Sequence, residues 1–444
     1  MNTVKNSPGW VAPERATALR HVLTLPGSKS LTNRELVLSA LAAGPSRLRR
    51  PLHSRDTALM VEALRSLGAC ITSVAGDGEF GEDYEITPLR PGSVVNATID
   101  CGLAGTVMRF VPPLALILEG EIAFDGDPSA RVRPMATTLD ALGQLGVSIT
   151  ENGQHTLPFS LHSSGISDGG HITIDASASS QFVSGLLLVG ALLPKGLTIE
   201  HVGAGVPSLP HIEMTIESLT HRGVRVASPS PGVWRVEPGV IEALDVSLEP
   251  DLSNAAPFLA AALISGGSVT ITGWPSPTTQ VGALVPEILE KFGATVTKNA
   301  DAVTVHGGVG WSNGGTIAGV DLDLGLAGEL APTFIALAAL SSTPSVFRGI
   351  GHLRGHETDR LAALVSNINA LGGQAQETAD GIEIFPRELQ GGLWPSWEDH
   401  RMATSGALLG LGIPGITVDD IECTSKTLPE FPALWSTLVD SPAP

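Results

Sequence analysis

Apolar and polar positions fall into two recurring textures along this chain. The first is an amphipathic stretch that ends in glycine and passes into a short, largely β-branched run. It appears as "ALRSLGACIT", "LDALGQLGVSIT", "IESLTHRGVRVA", "PEILEKFGATVT" and "NINALGGQAQE". The spacing predicts surface helices. Their closing glycines, Gly68, Gly146, Gly223, Gly293 and Gly372, stand where a helix ends on a residue with positive φ. They recur at intervals of 78, 77, 70 and 79 residues. The second texture opens with small or polar residues and continues almost wholly apolar. It appears six times, as "KSLTNRELVLSALAAG", "GLAGTVMRFVPPLALILEG", "SSQFVSGLLLVGALLPKGLTIE", "LSNAAPFLAAALISGGSVTIT", "GELAPTFIALAALSSTPSVF" and "RMATSGALLGLGIPGITV". A helix apolar on every side is a buried one.

Each unit therefore reads strand, buried helix, strand, surface helix, strands, over roughly 75 residues. Solenoid repeats are shorter and cap their ends. Six such units in 444 residues predict two domains of three units each, an α/β architecture with helices inside and sheets outside. The buried helices begin with the chemistry-bearing residues. Their N-termini carry unpaired N–H groups and the positive dipole end, which hold anions. Three such helices pointing the same way in each domain would make two electropositive faces, and a cleft between them would suit a ligand with several negative groups.

Charge sharpens this picture. The net charge is −19, which repels nucleic acid and anionic membranes and predicts neither as a partner. An anionic substrate then needs cations gathered locally against the overall field. There are six lysines, at 5, 29, 195, 291, 298 and 426, and two of them sit between hydroxyls, in "GSKS" at Lys29 and "TSKT" at Lys426. Cys70, Cys101 and Cys423 lie far apart with no CxxC, which fits a reducing cytoplasm and neither a disulfide framework nor a zinc knuckle. The opening "MNTVKNSPGW" has no apolar core of a signal peptide, and the longest apolar runs are near half a membrane span.

Several motifs carry candidate chemistry. "PGSKSLTNR" places Lys29, Ser30 and Arg34 at a helix start, against the dipole, as an anion cradle would; the glycine spacing excludes a Walker A loop. "GLAGTVMRF" offers close backbone approach at Gly105, "DPSARVRPM" offers Arg131 and Arg133, and "SASSQFVSG" offers Ser179, Ser180 and Gln181. Glu329 is a lone carboxylate in "LAGELAPTF". "HLRGHETDR" would put His356, Glu357 and Arg360 on one helix face, and "EDHRMATS" brings His400 and Arg401 to the last buried helix. Zinc is not expected, since no HExxH is present. Taken singly, each motif also reads as a cap, a turn or a surface ion pair. Together they fall at equivalent points of the repeat, which accident would not arrange.

In this order, "PGSKSLTNR", "LAGTVMRF", "RVRP", "SSQF", "HETDR", "DHRMA" and "SKT" resemble the 5-enolpyruvylshikimate-3-phosphate synthase family, and "HLRGHETDR" and "GELAP" look most like its actinobacterial branch. The resemblance implies two domains of three βαβαββ units, an inside-out α/β barrel arrangement. Residues 1–25 plus 250–444 would form one domain and 26–249 the other, with a double hinge near 24–27 and 248–251. It implies transfer of the enolpyruvyl group of phosphoenolpyruvate to the 5-hydroxyl of shikimate 3-phosphate, by addition and elimination, in a cytoplasmic monomer without metal or cofactor. Carried over by motif, phosphoenolpyruvate would be held by Lys29, Gly105, Arg133, Arg360, Arg401 and Lys426. Shikimate 3-phosphate would be held by Ser30, Arg34, Ser179, Ser180, Gln181, Ser208, Glu329 and His356. Glu329 would move the proton, assisted by Lys29 and Glu357. The inhibitor glyphosate would sit beside Gly105. Against the enterobacterial pattern, Glu329 replaces aspartate, His356 lysine, His352 and Leu103 asparagine, and His211 tyrosine.

Two rivals stand beside this reading. The sister enolpyruvyl transferase acting on UDP-N-acetylglucosamine resembles the fold but uses a cysteine in the loop that here reads "DGDPSARVRPM", where residues 125–135 contain none. A non-catalytic binder of phosphorylated metabolites would explain the cations but not Glu329 and Glu357 among them.

Overall fold

The computed structural model describes residues 9–442. Lys5 and most of the opening segment read above for a leader lie outside them. The chain divides into two compact units, one running Pro26–Glu249 and the other combining the segment up to Leu25 with Pro250 onward. Their buried apolar side chains form two separate cores.

The Pro26–Glu249 unit holds helices α1 (Lys29–Leu41), α2 (Arg55–Ser66), α3 (Gly105–Phe110), α4 (Ala136–Gln144), α5 (Gln181–Gly190) and α6 (Pro210–His221). The odd-numbered helices are buried nearly throughout, whereas the even-numbered ones bury one face. Three four-stranded sheets accompany them. The order in one is Val94–Asp100, Glu119–Asp125, Phe159–Ser164, Ser148–Glu151; in the next, Gly170–Ile174, Leu197–His201, Val233–Val236, Val226–Ser230. In each, the first pair is parallel and spans a buried helix, and the last two strands form an antiparallel hairpin. Alternating burial along the strands turns one face to the helices and the other to solvent. The third sheet closes the unit on itself. Its first strand is not local but is Asp245–Ser247, which pairs parallel with Ser46–Arg49.

The other unit repeats the scheme with α7 (Ala255–Ser265), α8 (Val285–Lys291), α9 (Ala331–Ala338), α10 (Arg360–Ala370), α11 (His400–Gly410) and α12 (Phe431–Val439). Every residue of α7, α9 and α11 is buried. Here the N-terminal segment supplies the closure. Leu19–Leu23 lies parallel to Gly267–Thr272, and Trp10–Val11 runs antiparallel to Thr417–Val418. The sixth repeat thus departs from the expected pattern: among the described residues it has no closing hairpin of its own and borrows a strand from near the start of the chain. Its outer helix α12 docks through Phe431 and Trp435, whose rings lie 5.5 Å from that of Phe258 on α7. Each such aromatic pair contributes about 0.5–1.5 kcal/mol beyond area burial.

The marker glycines close α2, α4, α6, α8 and α10 at φ values of +105°, +92°, +78°, +108° and +90°. Two expectations need correction. The apolar run after Gly105 is not one helix: α3 stops at Phe110, and Pro112 and Pro113 turn the chain into a 3₁₀ segment, Pro112–Ile117, because proline cannot donate the helical hydrogen bond. Residues His356 to Asp359 are not helical either. Asp359 caps α10 by accepting from the Ala362 N–H at 3.1 Å, so the helix starts at Arg360.

Candidate active site

In the Pro26–Glu249 unit the candidate residues gather at the N-termini of the buried helices. Ser28 caps α1, accepting from the Leu31 N–H, so Lys29 is the first helical residue. Its ammonium lies 3.7 Å from the Asp56 carboxylate on α2. Gly105 opens α3 against two other candidates. A Cβ at this position would stand 3.1 Å from Arg133 Nη2 and 3.2 Å from Gln181 Oε1. Arg133 donates from Nη1 to the Leu103 carbonyl at 3.3 Å, while its buried Nε has no hydrogen-bond partner among the described residues. Leu103 therefore contributes its backbone, and its side chain is core. Ser179 accepts from the Gln181 N–H at 3.2 Å, and Ser180 caps α5 without a side-chain bond. Ser208 sits at a positive φ of 53° in the turn leading to α6.

Arg34 follows on α1, one turn beyond Ser30. It is 1% exposed. Nε donates to Thr215 Oγ1 at 2.7 Å, Nη1 to the Ser30 carbonyl at 2.8 Å and Nη2 to the His211 carbonyl at 2.8 Å, with the guanidinium over the Phe110 ring. It ties α1 to α6. His211 serves that tie through its carbonyl, which also accepts from Thr215 Oγ1 at 3.0 Å.

The second cluster belongs to the other unit and is dense in charge. Glu329 lies in a 3₁₀ turn, Gly328–Leu330, just ahead of α9 rather than in the helix. Its Oε1 accepts a short hydrogen bond from Ser253 Oγ and lies 3.9 Å from Arg401 Nη2. Arg401 also donates from Nη1 to the Ser253 carbonyl at 2.9 Å, so Ser253 bridges the acid and the cation. Glu357 stands between two cations, accepting from Lys426 Nζ at 2.6 Å and from Arg360 Nη2 at 3.0 Å. Arg360 is clamped on its other side by Asp399, through Nε at 2.7 Å and Nη2 at 3.1 Å. Burial alone would push the Arg360 pKa down, but the fields of Asp399 and Glu357 outweigh it and the net shift is upward. Its positive charge is therefore fixed. His356 Nδ1 is 3.4 Å from Arg360 Nη1, and its ring is 5.7 Å from that of His352. His352 is half-buried, its Nε2 lies close to Gly328, and that nitrogen has no partner among the described residues.

The sequence reading missed Asp399, Ser253 and Asp56. Asp399 had a legible signal: it precedes α11 as an N-cap and accepts from the Arg401 N–H at 2.9 Å. Its clamp on Arg360, 39 positions away, had none, nor did the Ser253–Glu329 bond across 76 positions. Among the described residues no group of three or more His, Cys, Asp or Glu could hold a metal ion, and no helix is long and apolar enough to cross a membrane.

Chemically, these arrangements pair carboxylates able to move protons with fixed cations able to bind anions. Comparison with known proteins gives the family. The family model for EPSP synthase (3-phosphoshikimate 1-carboxyvinyltransferase) matches residues 13–435. A 3-phosphoshikimate 1-carboxyvinyltransferase of Kocuria rhizophila, an actinobacterium, is 54% identical over 436 residues, covering 97% of each chain. Two solved structures of EPSP synthase from Acinetobacter baumannii superpose with TM-scores of 0.76 and 0.75, each at 24% identity, over 97% of this chain and 97% and 98% of theirs. That likeness extends to the mixed α/β fold with its two helix-filled units. On the family match along nearly the whole sequence, this chain belongs to the EPSP synthase family.

Proposed function

We propose that the enolpyruvyl transfer of this family is carried out here with a specific division of labour among the residues described above. The reaction joins phosphoenolpyruvate to the 5-hydroxyl of shikimate 3-phosphate and releases phosphate. The hydroxyl gives up its proton to a basic side chain as its oxygen attacks C2 of phosphoenolpyruvate, while C3 takes a proton from an acidic one, giving a tetrahedral adduct. Loss of a C3 proton and of phosphate then gives the enol ether. Glu329 is the principal proton carrier, with Lys29 and Glu357 assisting. Lys29, Gly105, Arg133, Arg360, Arg401 and Lys426 bind phosphoenolpyruvate. Ser30, Arg34, Ser179, Ser180, Gln181, Ser208, Glu329 and His356 bind shikimate 3-phosphate, Arg34 from a side chain that also ties α1 to α6. A double hinge near 24–27 and 248–251 joins the two domains, and the enzyme works as a cytoplasmic monomer.

The observation that carries this reading is the grouping around Glu357 and Glu329: two carboxylates held within hydrogen-bond or ion-pair reach of Lys426, Arg360 and Arg401. A binder of phosphorylated metabolites has no use for carboxylates among its cations. Phosphate release measured with both substrates, and with each alone, tests the reaction; release that does not depend on shikimate 3-phosphate would sink it. Glu329→Gln and Lys29→Ala should each lower kcat/KM by about 10²–10⁴-fold, the range expected for losing a positioned proton carrier or its charge. Near-normal turnover in either variant removes that residue from its role.

A further inference from the structure

Two parallel strands, Gly170–Ile174 and Leu197–His201, end side by side, with Ile174 opposite His201. The chain leaves the first toward α5 and the second toward α6. These two connections carry Ser179, Ser180 and Gln181 on one side and Ser208 on the other. Little apolar packing holds the second connection, since Val202, Gly203, Ala204 and Gly205 are all exposed. Hydrogen bonds hold it instead, and His201 stands at their centre. Its Nδ1 accepts from the Ala176 N–H at 3.1 Å, and its Nε2 donates to the Ala204 carbonyl. An N–H can only donate and a carbonyl can only accept, so both partners demand the neutral imidazole with its hydrogen on Nε2. Ala176 is fully buried, which leaves its N–H without solvent as an alternative acceptor. Its carbonyl accepts in turn from the Ser179 N–H at 3.1 Å, and Ser179 Oγ accepts from the Gln181 N–H. Across the fork, Ser177 Oγ donates to the same Ala204 carbonyl at 3.1 Å. Gly203 lies against this clasp at a φ of +132°, where a Cβ would stand 2.8 Å from Asp175 Oδ1 and 2.9 Å from Ser177 Oγ.

We infer that His201 is a positioning residue for the shikimate 3-phosphate side of the reaction: it clasps the two connections so that Ser179 and Ser180 stay in register with Ser208. This rests on the proposed roles of those serines. The route is short. Ala176, held through its N–H, holds Ser179 through its carbonyl, while Ala204 leads within one loop to Ser208. Ser208 stands at a positive φ of 53°, a conformation that a serine keeps only where its surroundings impose it. Both partners of His201 are main-chain groups, so the tie depends on one ring presenting an acceptor and a donor at separate edges, as neutral imidazole does.

Hydrogen exchange and kinetics on the full chain test this. Amide exchange of residues 175–181 and 202–208, followed by mass spectrometry without substrates, reads the clasp itself. His201→Ala should speed it at least about fivefold in both segments and leave the other strands of the Pro26–Glu249 unit unchanged. The same variant should raise KM for shikimate 3-phosphate about tenfold, with kcat reduced less than about threefold and KM for phosphoenolpyruvate, at saturating shikimate 3-phosphate, within about twofold of wild type. His201→Asn puts an oxygen where Nδ1 stands and keeps the bond to Ala176, whereas His201→Gln reaches only toward Ala204. The asparagine variant should recover most of the lost KM and the glutamine variant little, and this pair serves if the alanine variant does not fold. Unchanged exchange in His201→Ala, an equal rise in both KM values, or equal KM values in the asparagine and glutamine variants overturns the inference. Faster exchange with an unchanged KM for shikimate 3-phosphate overturns it as well, and Ser179→Ala and Ser208→Ala then say why. If they raise that KM, the serines bind without help from the clasp; if they do not, the serines are not ligands of shikimate 3-phosphate and the proposed function loses them.

Discussion

At residue scale, Gly105 decides how much room its neighbours leave. A methyl group there would stand 3.1 Å from Arg133 Nη2 and 3.2 Å from Gln181 Oε1, tighter than ordinary van der Waals contact. Both neighbours are side-chain ends that can give by a few tenths of an ångström, so Gly105→Ala should fold. The displaced Arg133 should then weaken phosphoenolpyruvate binding by about tenfold, equivalent to ~1.4 kcal/mol. Glyphosate, which the family resemblance puts beside the same glycine, should lose more, because its site is crowded directly. Steady-state KM and inhibition constants of the purified variant check this; equal inhibition of variant and wild type would show that Gly105 does not border the inhibitor.

At the scale of elements, two neighbouring residues of α1 lock it to α6. Arg34 bonds Thr215 and the His211 carbonyl, and Glu35 receives Arg222 through Nε at 2.9 Å and Nη2 at 2.7 Å. Arg222 also reaches Ser39 Oγ and the Glu242 carbonyl, and its side chain is fully buried. A buried ion pair adds little over a well-packed apolar pair, but breaking one leaves an uncompensated charge. Glu35→Ala should therefore destabilise the Pro26–Glu249 unit by about 3–5 kcal/mol in urea unfolding, and Glu35→Leu combined with Arg222→Met should recover more than half of that. A single-variant loss below about 1 kcal/mol would mean that solvent reaches Arg222. The helix texture "KSLTNRELVLSALAAG" announced burial of α1; it could not say that Arg34 and Glu35 face the partner helix, since their partners lie 181 and 187 positions on.

At the scale of the whole molecule, acid sensitivity follows from a half-buried imidazole. Burial holds His352 below its ordinary value of 6.5, and Arg360 adds to this against an opposing backbone hydrogen bond at Gly349. The unfolded chain therefore takes up this proton first as pH falls. Its contribution to stability is complete above about pH 6.5 and is lost progressively below it. Thermal melts should show Tm falling between pH 7 and 5, and His352→Asn should flatten that fall; an identical slope in the variant would place the titration elsewhere, with His21, also lowered by burial, the next group to examine. By itself the sequence determined the repeat, the buried and surface helices, the glycine closures and which charged residues stand at the starts of the buried helices. It could do so because helical periodicity, capping and glycine's tolerance of positive φ are local properties of a few adjacent residues. Only the tertiary structure decided that Trp10–Val11 and Leu19–Leu23 complete two sheets, that Arg34 bonds α6, that Asp399 and Glu357 share Arg360, and that Asp56 faces Lys29. Those pairings join groups distant along the chain, and the choice among many possible partners is made by packing and the desolvation of charge, which no local pattern encodes.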